Sequence, residues 1–395
     1  MNAKLWAVVA ASMVILTGTG LMFSSNTTND GQIVIVARAN EEGSGLFAKT
    51  GWDLVQKDAS GNPVLDSDGE LQYNVEKWKG IVLMSPGNQS IQHLMLMDLV
   101  ENKLGLDFVD LRYGNKNPNA VNVLFVAPPN MASVISGDVR DTEADGGIVW
   151  ESYYSAIIRI SGVEGVFTTG DFEPHHTCCV VSVNRAFAET STRSLVNFLA
   201  AYIETVNWIK DALDKGGPNF DLDNYYRLID ICKTYTGITE TSVIESALYN
   251  VNYIYDDGPD GLNGLKEDIA NLTDGFDDLG GIFNRSLQDI GFQDSTVFAD
   301  WLVDDMYLRQ TQYVNVDTIQ DWSSIRVTVL IGDLHGIAIT VGKALKIFEK
   351  YKVDIKIGEQ TNGQLAMDDL LSGNTDVAVI GAPPSVVKTV NMYRM

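Results

Sequence analysis

Cysteine is scarce in this chain. Three residues among 395, Cys178, Cys179 and Cys232, are too few for a disulfide framework. Adjacent Cys178 and Cys179 would point to opposite faces of a strand, which disfavours a bond between them. A bridge from Cys232 to either stays open, and the default reading is three small buried hydrophobes. Positive charge is also short: 28 Lys and Arg against 52 Asp and Glu leave a net charge of −24. Nucleic-acid binding is excluded on that ground, because a phosphate backbone demands clustered cations. There is no Walker loop, no nucleotide fingerprint and no internal repeat. Only one long apolar run exists, Leu5 to Phe23, behind Lys4 and ahead of polar Ser25, Asn26, Thr27 and Thr28. It reads as a signal peptide, or as a membrane anchor if uncleaved, and places the rest of the chain outside the cytoplasm.

What is present is an ordinary globular composition, 45% hydrophobic and 20% charged, at a length that favours two lobes over one. Acid is concentrated at Asp256, Asp257, Asp260, Asp268, Asp274, Asp277 and Asp278, where a solvated surface and a calcium site both fit. No EF-hand spacing supports the second, so no metal and no cofactor are assigned. Sequons occur at Asn26, Asn88, Asn271 and Asn284.

The end of the chain reads like the start of a domain. Ile325 to Leu330 is strand-like, Gly332-Asp333-Leu334-His335 follows, and Ile337, Val341, Ala344, Leu345 and Phe348 stripe a helix. A strand at Val353 to Ile357, a helix opened by Asn362-Gly363, a strand at Asp376 to Ile380 and Gly381-Ala382-Pro383-Pro384 complete a βαβαβ pattern. Such a unit needs more sheet beside it, with ligand loops at the carboxyl ends of its strands. The missing sheet is found at the other terminus, where Gly31 to Arg38 is apolar and leads into Ala39-Asn40-Glu41-Glu42-Gly43-Ser44. Residues 51–80 are turn-rich and read as a hairpin or surface insertion. Strands at Ile81 to Met84, Val121 to Val126 and Gly147 to Val149 build a second, smaller α/β unit. Beyond Phe187 the spacing turns helical, with Leu195, Phe198, Leu199, Tyr202, Ile203, Val206 and Ile209 on one face. Further helices are predicted near Tyr225 to Tyr235, Glu240 to Leu248 and Ser295 to Arg309.

Six segments carry a family resemblance: IGDLHGIAITVGKALKIFEKY, TNGQLAMDDLLSGNTDVAVIGAPP, IVIVARANEEGSGLF, KWKGIVLMSPGNQSIQHLML, GGIVWESYY and HHTCCVVSVNRAFA. In cyclic order they resemble the substrate-binding proteins of nitrate, sulfonate, taurine and thiamine-precursor ABC importers, with the family's first third placed last. The resemblance implies an α/β fold of two lobes, a clamshell of the periplasmic-binding-protein type with a mainly parallel sheet in each lobe, circularly permuted between Pro384 and Ile33. The expected division is a leader at 1–30, the first lobe at 31–77 and 321–395, the second lobe at 78–183, and a helical region at 184–320. It further implies a monomer that captures a small-molecule solute without chemistry and delivers it to ABC permease and ATPase subunits.

The ligand residues implied by the matching motifs are Gly332, Asp333 and His335; Asn362; Ala382 and Pro383; Asn40, Glu41 and Ser44; Asn88, Gln89 and Ser90; Asp145, Trp150 and Glu151; and His176. Physical chemistry agrees with several of them. The proposed loops precede helices, whose unpaired N–H groups and dipole attract anions, although Ser90 and Asn362 would cap a helix in any case. All four histidines, His93, His175, His176 and His335, fall in or beside these loops. Trp150 serves equally as an apolar wall or as core. Ser152 stands where the family has proline. Glu41, Glu42 and Glu151 would pair with an ammonium group, favouring an amino-sulfonate or heteroaromatic solute over nitrate. The rival is an enzyme, since His175-His176-Thr177-Cys178-Cys179 resembles the His- and Cys-rich segment of pyrimidine-forming thiamine-synthesis proteins.

Overall fold

The computed structural model describes residues 32–139 and 142–393. The leader and the Asn26 sequon lie outside the described residues. In chain order the strands are β1 (Ile33–Glu42), β2 (Ser44–Lys49), β3 (Val82–Ser85), β4 (Phe108–Asp110), β5 (Val121–Phe125), β6 (Gly146–Trp150), β7 (Val163–Thr168), β8 (Thr177–Asn184), β9 (Val251–Tyr253), β10 (Ser323–Leu330), β11 (Val353–Gln360) and β12 (Val377–Gly381). They form two six-stranded sheets, ordered β11-β10-β12-β8-β1-β9 and β4-β5-β3-β6-β2-β7. The two-lobed α/β architecture expected from the sequence is therefore present. Head and tail of the chain share the first sheet, with β8 between them.

Each sheet has a parallel part and an antiparallel part. β10 runs parallel to β11 and β12, and β4, β5, β3 and β6 are mutually parallel. β8, β1 and β9 are antiparallel additions to the first sheet, and β2 and β7 to the second. The parallel strands come from βαβ crossovers, whereas β1, β2 and β8 belong to the two passages by which the chain moves between sheets.

Those passages shift the lobe boundaries. β2, expected in the first lobe, pairs with β6 and β7 of the second sheet, and β8, expected in the second, pairs with β12 and β1 of the first. The cause is Gly43, where φ is +87°. The segment Ala39 to Ser44, read as a loop, is one extended run that turns there and passes from one sheet directly into the other. A Cβ at Gly43 would overlap His335 Nε2, so the close approach also requires glycine.

Burial explains the rest. Ile33 to Ala37 are all buried, as befits a central strand covered on both faces. The helix Thr192–Leu213 buries Leu195, Phe198, Leu199, Tyr202, Val206 and Ile209 of its predicted stripe against the first sheet's helices. The predicted helix Ser295 to Arg309 is two pieces, Ser295–Leu302 and Met306–Gln310. The Asp-rich stretch is mainly the helix Asn263–Leu279, and its Asp268 bonds Arg38 and Thr177. Isolated bridges Val55 to Tyr73 and Leu65 to Leu71 confirm a hairpin-like insertion.

Candidate functional site

A cavity of about 210 Å³ lies between the carboxyl ends of the parallel strands of the two sheets. From the second lobe come Pro86 to Gln92, Arg112, Phe125 and Trp150; from the first come Cys178, Cys179, Leu330, Asp333, His335, Asn362 to Gln364, Gly381 and Pro384. Two helices open onto it. Ser90 caps Ile91–Asp98, its Oγ accepting from His93 N at 3.2 Å, and Asn362 caps Gly363–Leu371, its Oδ1 accepting from Leu365 N at 3.0 Å. Local sequence suffices for both caps, since each residue accepts a hydrogen bond from the third residue after it.

Seven residues of the sequence-derived set line the cavity: Asn88, Gln89, Ser90, Trp150, Asp333, His335 and Asn362. The others are placed elsewhere. Gly332, at φ +66°, turns the chain and its carbonyl accepts from Ser152 Oγ at 3.1 Å, linking the lobes. Pro384 and Gly381 line the wall in place of Ala382 and Pro383, because the helix starts at Ala382 and turns those two aside. Asn40, Glu41 and Ser44 lie in the crossing strands. There Asn40 Nδ2 donates to the carbonyl of Glu42 at 3.1 Å, Glu41 pairs with Arg38, and Ser44 Oγ accepts from Gln92 Nε2 at 2.8 Å. Asp145 sits at the opposite end of the second sheet, where its Oδ2 accepts from Val82 N at 2.9 Å; parallel strands put ligand loops at their other ends. Glu151 is fully buried and accepts from Ser155 N, Ser155 Oγ and Asn250 Nδ2 at 3.0, 2.8 and 2.9 Å. His176 lines a second cavity with Asp268, its Nδ1 against the carbonyl of Glu173 at 2.7 Å. Glu41 and Glu151 are internally paired, and Glu42 lies outside the cavity wall with its Oε1 accepting from His175 N at 3.0 Å, so none of the three is left for an ammonium group in the cavity. The carboxylate that the cavity wall offers is Asp333.

The ligand set expected from the sequence leaves out Cys178 and Cys179, which line the cavity. β8 carries a bulge: Asn40 pairs with Cys179 and Glu41 with Thr177, so Cys178 is an extra residue with no partner on β1. A bulge re-aims side chains, and the adjacent thiols, expected on opposite faces, stand with their Sγ atoms 3.9 Å apart. His335 Nδ1 is 3.7 Å from each sulfur, and its Nε2 is 2.8 Å from the carbonyl of Gly43. A carbonyl only accepts, so Nε2 carries a proton. Asp333 Oδ1 lies 3.2 Å from Nδ1 and accepts from His335 N at 2.9 Å.

The electrostatics follow from this packing. Burial alone would lower the His335 pKa, but the charges of Cys178 and Asp333 outweigh it and push it up to about 10. Cys178 is held well below the usual thiol range by the Cys179 hydrogen bond and by His335, while Cys179, donating to it and buried, is raised. Burial pushes Asp333 up to about 6 against the pull of His335.

His93 has a different character. Its ring packs edge-on against Phe108 and Phe125, with Nδ1 3.1 Å from Ser85 Oγ, and burial lowers its pKa to about 4. It is a neutral wall support behind the cavity. Arg112 stacks 3.7 Å over Phe125 and is paired with Asp110 at 2.6 Å, so its charge is largely spent on the protein. Trp150 is 7% exposed, and its Nε1 has no hydrogen-bond partner; neither has Gln89 Oε1. Buried donors and acceptors normally find partners.

No protein-family model matches the chain, and no curated protein matches it. Among solved structures it is similar to the ligand-binding component of an ABC-type import system from Staphylococcus aureus with zinc bound, at 14% identity over 67% of this chain and 73% of that one, with a TM-score of 0.38. It is also similar to the periplasmic nitrate-binding protein NrtA from Synechocystis PCC 6803, at 12% identity, 72% and 68% coverage and a TM-score of 0.45. For the periplasmic aliphatic sulphonate binding protein SsuA from Escherichia coli the values are 16%, 60%, 62% and 0.34. These likenesses are loose, and the functional reading rests on the cavity itself.

Proposed function

We propose that the chain is an extracytoplasmic solute-binding protein that closes two lobes around a small organic acid, of sulfonate or amino-sulfonate type, and delivers it to an ABC permease. The observation that carries this reading is the origin of the cavity wall. Both lobes contribute to it, while the chain passes between the sheets at Gly43 and again between β7 and β8. Lobes joined at one edge and sharing a binding surface are drawn together by a ligand that touches both, so binding free energy becomes closure.

The wall chemistry suits an organic anion. Two helix N-termini offer N–H donors to its oxygens. Trp150 Nε1 and Gln89 Oε1 are polar groups awaiting partners, and the rings of Trp150 and Phe125 provide contact for an apolar body. Asp333 would meet an ammonium group. None of this requires a bond to be made or broken. On the same reading the first lobe is assembled from residues 33–43 and the chain from 177 onward, including the permuted tail, and residues 44–176 form the second.

The test is calorimetry of the purified protein against taurine, alkylsulfonates, nitrate and a pyrimidine, with small-angle scattering and mass spectrometry on the same samples. A sulfonate is expected to bind one per chain, to reduce the radius of gyration and to remain unchanged. Binding without compaction, or no binding by any sulfonate, sinks the proposal. Residues 44–176 expressed alone should unfold cooperatively; a disordered fragment would refute the lobe assignment.

A further inference from the structure

The cavity wall contains a ligand set that solute capture does not need. Cys178, Cys179 and His335 bring three soft or borderline donor atoms together: the two sulfurs are 3.9 Å apart and Nδ1 is 3.7 Å from each. Around a tetrahedral zinc, with Zn–S of about 2.3 Å and Zn–N of about 2.0 Å, two sulfurs stand ~3.8 Å apart and a sulfur and a nitrogen ~3.5 Å apart. The triangle in the protein matches that template within a few tenths of an ångström. We propose that Cys178, Cys179 and His335 bind one transition-metal ion of the zinc class, with its fourth coordination position open to the cavity.

Three independent features support the assignment. The bulge in β8 puts neighbouring thiols on one side of a strand, an arrangement that small buried hydrophobes do not require. The hydrogen bond from His335 Nε2 to Gly43 fixes the ring so that Nδ1 faces the sulfurs, which is the outer-shell support that metal-bound histidines usually have. Two thiolates also neutralise a divalent ion, in a site where the three residues are 1%, 3% and 2% exposed. Sulfur and imidazole donors select zinc-like and copper-like ions over calcium or magnesium. The open position would let a bound solute's anionic oxygen complete the shell, as water does in three-ligand zinc sites. The metal site stands apart from the solute-binding proposal, since its own test reads metal and not solute.

The test uses the full chain, reduced with a phosphine. Titration with Co(II) should show one equivalent bound, with sulfur-to-cobalt charge-transfer absorption in the near ultraviolet and the strong visible bands of tetrahedral cobalt. Zn(II) should displace it. Cys178→Ser and Cys179→Ser should each weaken Zn(II) binding by more than about tenfold and diminish the charge-transfer band. Cys232→Ser, in the helix Leu222–Thr236 away from the cavity, should change neither. X-ray absorption of the Zn(II)-loaded wild-type chain needs no variant and should give two sulfurs at about 2.3 Å. A first shell of oxygen and nitrogen only, or a charge-transfer band that survives both serine substitutions, would overturn the proposal.

Discussion

Acid should weaken this protein through His93, and the size of the effect can be worked from its surroundings. The ring is 4% exposed, wedged edge-on between Phe108 and Phe125, with Nδ1 against Ser85 Oγ. Burial lowers its pKa from 6.5 to about 4, with Arg112 adding to the shift and Asp110 opposing it. The folded pKa is depressed, so the neutral ring's contribution is present above pH 6.5 and is lost as pH falls towards 4. Proton linkage with those two values gives a loss of about 2 kcal/mol between pH 7 and pH 5, and about 3 kcal/mol by pH 4. The assay is urea unfolding of the wild type and His93→Gln at each pH, with the denaturant slope checked for constancy. At pH 7 the variant should be less stable by about 1–3 kcal/mol, from lost ring packing. By pH 5 that gap should shrink by about 2 kcal/mol, because glutamine takes up no proton. Groups raised by burial, such as Glu151 and Asp268, titrate in the opposite sense in both proteins and cancel in the difference. A gap that stays constant from pH 7 to pH 5 would refute the assignment of a buried neutral histidine.

Trp150→Phe should leave stability within about 1–2 kcal/mol, because Nε1 has no partner to lose, yet weaken solute binding about tenfold or more through the missing donor; calorimetry and melting together separate the two. Gly43→Ala forces a side chain into positive φ and onto His335, so a loss above about 2 kcal/mol is expected in thermal unfolding. Glu151→Ala leaves Ser155 and Asn250 donors buried without their acceptor and should cost about 3 kcal/mol, while Glu151→Gln, which keeps one acceptor oxygen, should cost clearly less in the same urea melts. Equal losses for the two Glu151 variants would show that the carboxylate's charge, and not its hydrogen bonds, matters there.

What the sequence by itself determined is everything set by short-range pattern. Alternation and apolar runs located β10, β11, β12, β3, β5 and β6, the 3.6-residue stripe located Thr192–Leu213, and the caps Ser90 and Asn362 marked two helix starts that open on the cavity. Those signals place Ser90 and Asn362 on the cavity wall, because a cap is defined by neighbours within a few positions, whereas Asn88, Gln89, Trp150, Asp333 and His335 are implied by the family resemblance. Tertiary structure alone decided the remainder. Whether residues 39–44 were a loop or a strand depended on the second sheet waiting beyond Gly43, and that choice removed Asn40, Glu41 and Ser44 from the wall. Glu151 was committed inward by Asn250, 99 positions away. Adjacent cysteines alternate faces in any regular strand, and only the register of β8 against β1 creates the bulge that turns both towards His335, more than 150 residues distant. Bulges and buried polar pairings are settled by which strands meet, and that information is spread over the whole chain.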